Sequence, residues 1–465
     1  MRKYVLLGLI FCSVVSLNAQ DMKAVELNRK VDELVAKMTL EEKASLCSGR
    51  DDWSTKAIER LNIPWVWVAD GPHGLRRAPA TNKAGYGDQV PATCFPTASA
   101  LAASWDLDLI YRVGQALGVE CQANNVNVLL GPGVNIKRSV LAGRNFEFFS
   151  EDPILSGELG AAFIKGVQSQ GVGTSLKHYV ANNVETMRMY ANSDMDTRSL
   201  HEIYLTPFEI AVKKAQPWTV MACYNRVQGV YGTQAPYLLT DILKNEWAYE
   251  GIVISDWFAV VDRVEGVKAG MHIEMPGVST YNDQLIVEAV KNGSLEESVL
   301  DDLVKDILHM VLKAKSLEKK GVDMQVDAHH TFARKVAAEA ATLLKNENNL
   351  LPVTAQKYKS VALIGEFAEN PRFQGNGSSE VKPTKLDKII DVIQAEYGSE
   401  IKISYAQGYS LTDDVDFSMI EEAKNTAAKA DIALVFAGLP LHYESEGKRF
   451  RLIYFLTHLF CCYLL

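Results

Sequence analysis

The sequence predicts an α/β protein built from two successive parallel units, the first a barrel or an open sheet. Three observations carry this. From about residue 60 to 275, apolar runs of strand length alternate with helix-length amphipathic segments. Polar clusters follow several of those runs directly, where the C-terminal face of a parallel barrel carries its chemistry. After a break the alternation restarts at Val361-Ala362-Leu363-Ile364-Gly365.

The chain has 465 residues and 48% hydrophobic content, enough for large cores and about two to three domains. A net charge of -9 with no basic stripe argues against nucleic acid as a partner. Residues 1–20 read as a signal peptide. Arg2 and Lys3 precede an apolar core from Val5 to Leu17, and Asn18-Ala19-Gln20 offers a cleavage site. A secreted or periplasmic destination is expected. Of the seven cysteines, Cys12 lies in this leader and Cys461 and Cys462 in the tail. Cys47, Cys94, Cys121 and Cys223 are widely spaced, with no CxxC to suggest a zinc knuckle or a redox pair.

Taken in order, residues 22–46 form an amphipathic helical region, and Thr39-Leu40-Glu41-Glu42 carries a capping-box pattern. Strands are predicted at Trp65–Ala69, Val126–Leu130, Thr174–Lys177, Thr219–Cys223 and Ile252–Ser255. Helices fit Leu107–Glu120, Leu155–Gln170, Ser199–Lys214 and Leu238–Trp247, and 284–318 reads as helical. Gly321 to Thr331 is a turn-rich break. His329-His330 within it has no third ligand at metal spacing and reads as a helix N-terminus. An Ala-rich helix follows at Phe332–Lys345, closed by Leu350-Leu351-Pro352. In the second unit, strands are expected at Ile401–Tyr405 and Ile432–Ala437, with helices at Leu386–Glu396 and Ser418–Ala428. Val361–Gly365 lacks a following GxGxxG, which argues against a dinucleotide. The tail 448–465 has no clean period and is too short for a comfortable membrane span.

The chemistry collects at the strand tips. In Gly251-Ile252-Val253-Ile254-Ser255-Asp256-Trp257 an apolar strand delivers a carboxylate at its C-terminal end. Asp256 fits a nucleophile that attacks a sugar; read alone, a cap on the next helix is the commoner use of such an Asp. Asp70-Gly71-Pro72-His73-Gly74-Leu75-Arg76 makes a tight turn that brings Asp70 and Arg76 together. A carboxylate beside a guanidinium suits sugar hydroxyls, which both donate and accept; a structural ion pair fits as well. Arg144 and Glu147 sit in a loop, Lys177 and His178 at a strand tip, Arg188 in the polar loop beyond, and Tyr224 after the fourth strand. The strand-tip groups Asp70, Lys177, His178, Tyr224 and Asp256 together describe a polar ring around one pocket, and Trp257 adds an aromatic wall for a pyranose face. Retaining glycoside hydrolysis needs a second carboxyl group about 5 Å from the nucleophile. Candidates lie in Tyr443-Glu444-Ser445-Glu446-Gly447, which on its own reads as an acidic loop.

These motifs, in this order and spacing, resemble glycoside hydrolase family 3, the β-glucosidase-like enzymes. The resemblance runs from about residue 30 to 447 and rests on 70–76, Gly-Arg-Asn-Phe-Glu at 143–147, Lys-His-Tyr at 177–179, Ser-Asp-Trp at 255–257 and Glu-Ser-Glu-Gly at 444–447. It implies a TIM-like (β/α)8 barrel over 22–310, a linker with a helix over 311–357 and part of an α/β sandwich over 358–447. It implies Asp256 as nucleophile and a second-domain acid/base, Glu446 with Glu444 as the alternate. It implies that Asp70, Arg144, Lys177, His178, Arg188 and Tyr224 hold the terminal sugar; Arg76 and Trp257 join them from the reading of the residues alone. No metal and no organic cofactor are implied. The implied activity is exo-acting release of β-D-glucose from β-glucosides or oligosaccharides, with β-xylosidase as the nearest alternative. Val-Ala-Asn-Asn-Val-Glu after Lys177-His178-Tyr179 lacks the Gly-His pattern of the family's N-acetylglucosaminidase branch. The mechanism requires Asp256 ionised, with Lys177 and Arg144 lowering its pKa, and the glutamate held higher.

The departure comes after Gly447. Lys448-Arg449-Phe450 stands where the family continues Asp-Arg, so a frameshift or premature end near Lys448 is expected, with 448–465 as an aberrant tail. A sheet cut there would expose an edge and loosen the acid/base loop, at a cost of about a hundredfold in rate. A sugar-binding remnant without turnover is the competing expectation. The sequence sets no oligomeric state.

Overall fold

The computed structural model describes residues 25–79, 89–277, 279–412 and 414–447. The predicted leader over 1–20 and the tail over 448–465 lie outside them. A helix over 25–37 buries Val31 and Val35, four residues apart on one face. The capping box predicted for the next helix, Leu40–Leu46, is formed in both directions. The Thr39 amide donates to Glu42 Oε2 at 2.9 Å and the Glu42 amide to Thr39 Oγ1 at 3.2 Å.

Five parallel strands follow in chain order and in spatial order: β1 (Val68–Asp70), β2 (Val128–Leu130), β3 (Gly173–Tyr179), β4 (Thr219–Ala222) and β5 (Ile252–Ser255). Every residue in them is buried, as expected of strands covered on both faces. The ring continues through single bridges. Ile254 meets Ile273, Glu274 meets Ser48, Gly49 meets Thr55, and Ser54 meets Trp67, next to β1. Helices Leu107–Ala123, Pro153–Gln168, Thr206–Ala215 and Tyr237–Glu246 cross between the strands and pack outside. This is the TIM-like arrangement, with five regular strands and irregular segments closing the circle.

Element boundaries move in physically explicable ways. The helix expected over Ser199–Lys214 begins with a wide π-type turn at Leu200–Leu205. The region 284–318 is two helices, Tyr281–Lys291 and Glu297–Ser316, separated at Gly293, whose φ of 77° ends the first. The second of them buries Val311 and Ala314. The Ala-rich helix spans Val326–Ala340 and not Phe332–Lys345. His329 therefore closes the first turn of that helix, its amide donating to Gln325 O, in line with the helix N-terminus expected there. Its Nδ1 meets Glu120 Oε1 at 2.8 Å, a buried pair that holds the helix on the barrel.

The second unit has three parallel strands, β6 (Ser360–Ile364), β7 (Lys402–Ala406) and β8 (Ile432–Val435), ordered β7-β6-β8. Helices Ile389–Tyr397 and Phe417–Ala427 connect them. Among the described residues β8 pairs on one side only, and Val435 on it is 49% exposed. The unit is tied to the barrel by main-chain bonds: the Ala92 amide donates to Lys382 O and the Thr384 amide to Ala92 O. No helix among the described residues is long and apolar enough to cross a membrane. Cys47, Cys94, Cys121 and Cys223 are free thiols.

Candidate active site

A cavity of about 410 Å³ opens at the C-terminal ends of β1, β3, β4 and β5. The barrel residues expected as nucleophile or sugar contacts line it: Asp70, Arg76, Arg144, Lys177, His178, Arg188, Tyr224, Asp256 and Trp257; Glu147, singled out beside Arg144, does not. Glu446 enters from the second unit.

Each side chain is placed by its local chain. Asp70 ends β1, and Gly71, at φ 129°, turns the chain so tightly that a Cβ there would lie 2.0 Å from Gly74 O. The turn returns Arg76, whose amide donates to Asp70 O, and the side chains approach to 3.5 Å. Lys177 and His178 were expected where a strand ends, because strand neighbours point oppositely. The strand instead runs to Tyr179, with its register against β4 broken between Leu176 and Tyr179. That irregularity lets both side chains reach the cavity. Asn135 fixes the second of them: its side chain accepts from the His178 amide at 2.8 Å and donates to His178 O at 2.9 Å.

Beneath the cavity floor lies Glu147, which is 1% exposed. It accepts two bonds from Arg144, at 2.7 and 2.8 Å, and stands 3.1 Å from Lys177 Nζ. Lys177 also faces Asp70 at 3.6 Å. Burial opposes ionisation of Glu147, but Arg144 and Lys177 outweigh it and bring its pKa down to about 2.

Asp256 is not a helix cap. Its Oδ1 accepts from the Trp257 amide at 2.7 Å, and the following helix, Arg263–Lys268, is capped by Asp262. Its Oδ2 is buried without a hydrogen-bond partner among the described residues, 3.6 Å from His178 Nε2. Burial pushes the Asp256 pKa up to about 6, with Arg144, Arg188 and Lys177 offsetting only part of that. Burial and the neighbouring cations hold His178 neutral, well below the usual histidine range.

Glu446 shows the opposite balance. Burial would raise its pKa, yet Arg144 and Arg188 hold it well below the carboxylate range. Arg188 Nη2 is 2.7 Å from Glu446 Oε1, and the Ser378 amide donates to Oε2 at 2.8 Å. The expected ordering, a low nucleophile and a high acid, is therefore reversed in the sugar-free cavity. Asp256 sits deep with an unsolvated oxygen, whereas Glu446 is directly ion-paired. Glu444 is turned away from this cavity toward Arg372, at 2.5 Å, and borders a different hollow between the units. Of the two glutamates, only Glu446 meets the nucleophile candidate's cavity.

The chain matches the glycosyl hydrolase family 3 N terminal domain over residues 15–310 and the family's C-terminal domain over 341–453. It belongs to glycosyl hydrolase family 3. The thermostable beta-glucosidase B of Acetivibrio thermocellus is 53% identical over 419 residues, which cover 90% of this chain and 55% of that protein. An exo-alpha-(1->6)-L-arabinopyranosidase of Bifidobacterium longum is 45% identical, covering 89% of this chain and 55% of the relative. The crystal structure of a β-glucosidase from Bifidobacterium adolescentis superposes with TM-score 0.83 at 45% identity, over 89% of this chain and 59% of that one. That of beta-glucosidase 3B from Thermotoga neapolitana, in complex with glucose, gives 0.80 at 34% identity, over 91% and 64%. This family 3 chain thus spans about half the length of the curated relatives it matches.

Several residues in or beside the cavity of the family 3 chain escaped sequence reasoning. Trp53 stacks near Trp257, ring centroids 5.5 Å apart, and completes an aromatic wall. Ser378 contributes its amide to Glu446; the polar turn Asn376-Gly377-Ser378-Ser379 was the available signal. Gly377 allows the approach, since a Cβ there would meet Glu446 Cβ at 2.7 Å. Glu185, buried behind Arg188, had no signal beyond its place in Asn-Asn-Val-Glu.

Proposed function

We propose that the chain is a retaining, exo-acting β-glucosidase that releases β-D-glucose from the non-reducing end of β-glucosides or short oligosaccharides. The observation that carries this is one buried cavity with Asp256 on the barrel side and Glu446 on the second-domain side, ringed by hydrogen-bonding groups. Its volume, about 410 Å³, is at the small end of ligand sites, about 300–1,000 Å³, which favours a terminal sugar over an internal stretch of chain.

Asp256 Oδ2, buried and without a hydrogen-bond partner among the described residues, attacks the anomeric carbon as the bond to the leaving oxygen breaks. Glu446 protonates that oxygen, and a glycosyl ester forms on Asp256. Water then attacks the same carbon as its bond to Asp256 Oδ2 breaks, Glu446 takes the water's proton, and Asp256 is returned as the carboxylate. Asp70, Arg76, Lys177 and His178 hold the ring hydroxyls, and Trp53 and Trp257 cover its apolar face. The ionised Glu446 of the sugar-free cavity is ready for the second step. For the first it must leave Arg188 and take up a proton as substrate enters.

The test is a panel of aryl glycosides: β-gluco, β-xylo, β-galacto, N-acetyl-β-glucosaminide and α-L-arabinopyranoside. The β-glucoside is expected to turn over fastest, in an Asp256-dependent manner; binding without turnover would establish a sugar-binding remnant instead. The α-L-arabinopyranoside belongs in the panel because a relative 45% identical to this chain carries that activity in its name. A pH series gives a second check. With 2,4-dinitrophenyl β-glucoside, whose departure needs no proton, kcat/KM is expected to fall as pH drops through about 6, where Asp256 takes up a proton. A flat profile down to pH 5 would refute the raised Asp256 pKa. The reading of residues 1–20 places the protein outside the cytoplasm; fractionation of the expressing cell, with recovery in the cytosol as the contrary result, decides it.

A further inference from the structure

Glu185 lies in the loop after β3 and takes no part in the reaction scheme above, yet it is 4% exposed and contacts the second domain. Its Oε2 accepts from the Gly447 amide at 2.7 Å and stands 3.0 Å from Arg188 Nη1. Gly447 is the residue after Glu446. Arg188 in turn presents its other nitrogen to Glu446 Oε1 at 2.7 Å, and its guanidinium lies over the Tyr224 ring, 4.5 Å from the centroid. One barrel carboxylate therefore grips the acid/base loop twice, once through its backbone and once through a cation that touches the glutamate itself.

The other oxygen, Oε1, meets no hydrogen-bond donor among the described residues. Removing the carboxylate thus disturbs these two contacts and no other bond of its own. Within the second domain the loop is also held: the Ser378 amide donates to Glu446 Oε2 at 2.8 Å and Arg372 pairs with Glu444 at 2.5 Å. The Asn376 amide donates to Glu444 O, and the Glu446 amide donates to Asn376 O at 3.3 Å. To the barrel, the charge-assisted bond from the Gly447 backbone to Glu185, of the stronger kind, acts beside the Arg188–Glu446 pair and is the one that holds the loop's main chain.

We propose that Glu185 is the positioning residue that docks the Glu446 loop onto the barrel and sets the reach of its carboxyl group to the leaving oxygen. This rests on the β-glucosidase reading for its kinetic consequence, but not for the docking itself. Glu185→Ala displaces the proton donor without touching the nucleophile. Its effect therefore depends on how much the leaving group needs a proton. For phenyl β-glucoside, kcat/KM is expected to fall about 100-fold, the usual cost of an ångström of misplacement. For 2,4-dinitrophenyl β-glucoside it changes little. Glu185→Gln keeps an oxygen for the Gly447 amide and recovers part of the loss. It also serves if the alanine variant fails to fold.

Hydrogen exchange on the full chain provides the second readout, with faster exchange expected over Tyr443–Gly447 in Glu185→Ala. If both substrates fall equally, or exchange is unchanged, Glu185 is not the dock. If the parent chain shows no Asp256-dependent turnover, the β-glucosidase reading fails, and exchange alone then decides whether Glu185 docks the loop.

Discussion

Asp256→Asn is expected to lower kcat/KM for 4-nitrophenyl β-glucoside by on the order of 10⁴-fold or more, the scale set by loss of a covalent nucleophile, while stabilising the fold at neutral pH. The two effects share one cause. Asp256 is 6% exposed, and its Oδ2 is buried without a hydrogen-bond partner among the described residues. The same isolation that leaves the oxygen free to attack makes its charge expensive in the sugar-free protein. The folded pKa of about 6 lies above the ordinary 3.8. A carboxyl group shifted upward favours the folded state most when protonated. Its contribution is complete below the unfolded pKa and is lost as pH rises through 6. At pH 7 the ionised form therefore costs about 3 kcal/mol relative to a group with no shift.

Asparagine keeps an oxygen for the Trp257 amide and removes the charge. Arg144, Lys177 and Arg188 lose a counter-charge, which offsets part of the gain. Urea unfolding at pH 7.5 and at pH 4 checks this. The variant is expected to be more stable at pH 7.5 and equal to the parent near pH 4. Full activity would remove Asp256 from the mechanism, and lower stability at pH 7.5 would show that the cations dominate.

What the sequence disclosed depended on whether the information was local. The strand Ile252–Ser255 is found at the predicted residues because an unbroken apolar run of that length has one use in a parallel sheet. The capping box at Thr39 is equally local. The Ala-rich helix was misplaced because what holds it is tertiary. His329 is fixed by Glu120, some two hundred residues away, and no pattern near either residue announces that pair. The polar ring was legible as a set of strand tips, and the structure brings all its members into one cavity. The pKa ordering was not. It depends on which carboxylate faces a cation directly and which faces the cavity, and Glu446 takes Arg188 while Asp256 takes none at contact distance. Glu185 stayed hidden for the same reason, since its role lies in a partner 262 positions along the chain.

Glu147→Gln is expected to destabilise the protein by about 3 kcal/mol at neutral pH and to move the acidic limb of the pH profile below 6. Glu147 touches no substrate in the proposed scheme. Its work is to hold Arg144 by two bonds and Lys177 at 3.1 Å, all three side chains being almost fully buried. The folded pKa of about 2 lies below the ordinary 4.5. A carboxylate shifted downward contributes its stability above the unfolded pKa and loses it as pH falls through the folded value. The shift corresponds to about 3 kcal/mol. Breaking a buried ion pair by removing one partner costs about 3–5 kcal/mol, an independent figure that agrees.

Glutamine keeps the shape and one acceptor but leaves two buried cations facing Asp70 and Asp256 with less negative charge beneath them. Both aspartates then ionise more readily, so hydrolysis of the dinitrophenyl substrate should persist to lower pH even as the maximum rate falls. The stability deficit should be full at pH 7 and fade as pH drops from 4.5 toward 2. A deficit that does not vary with pH would mean that the loss comes from packing and not from charge, and an unmoved acidic limb would mean that Glu147 is electrostatically invisible to Asp256.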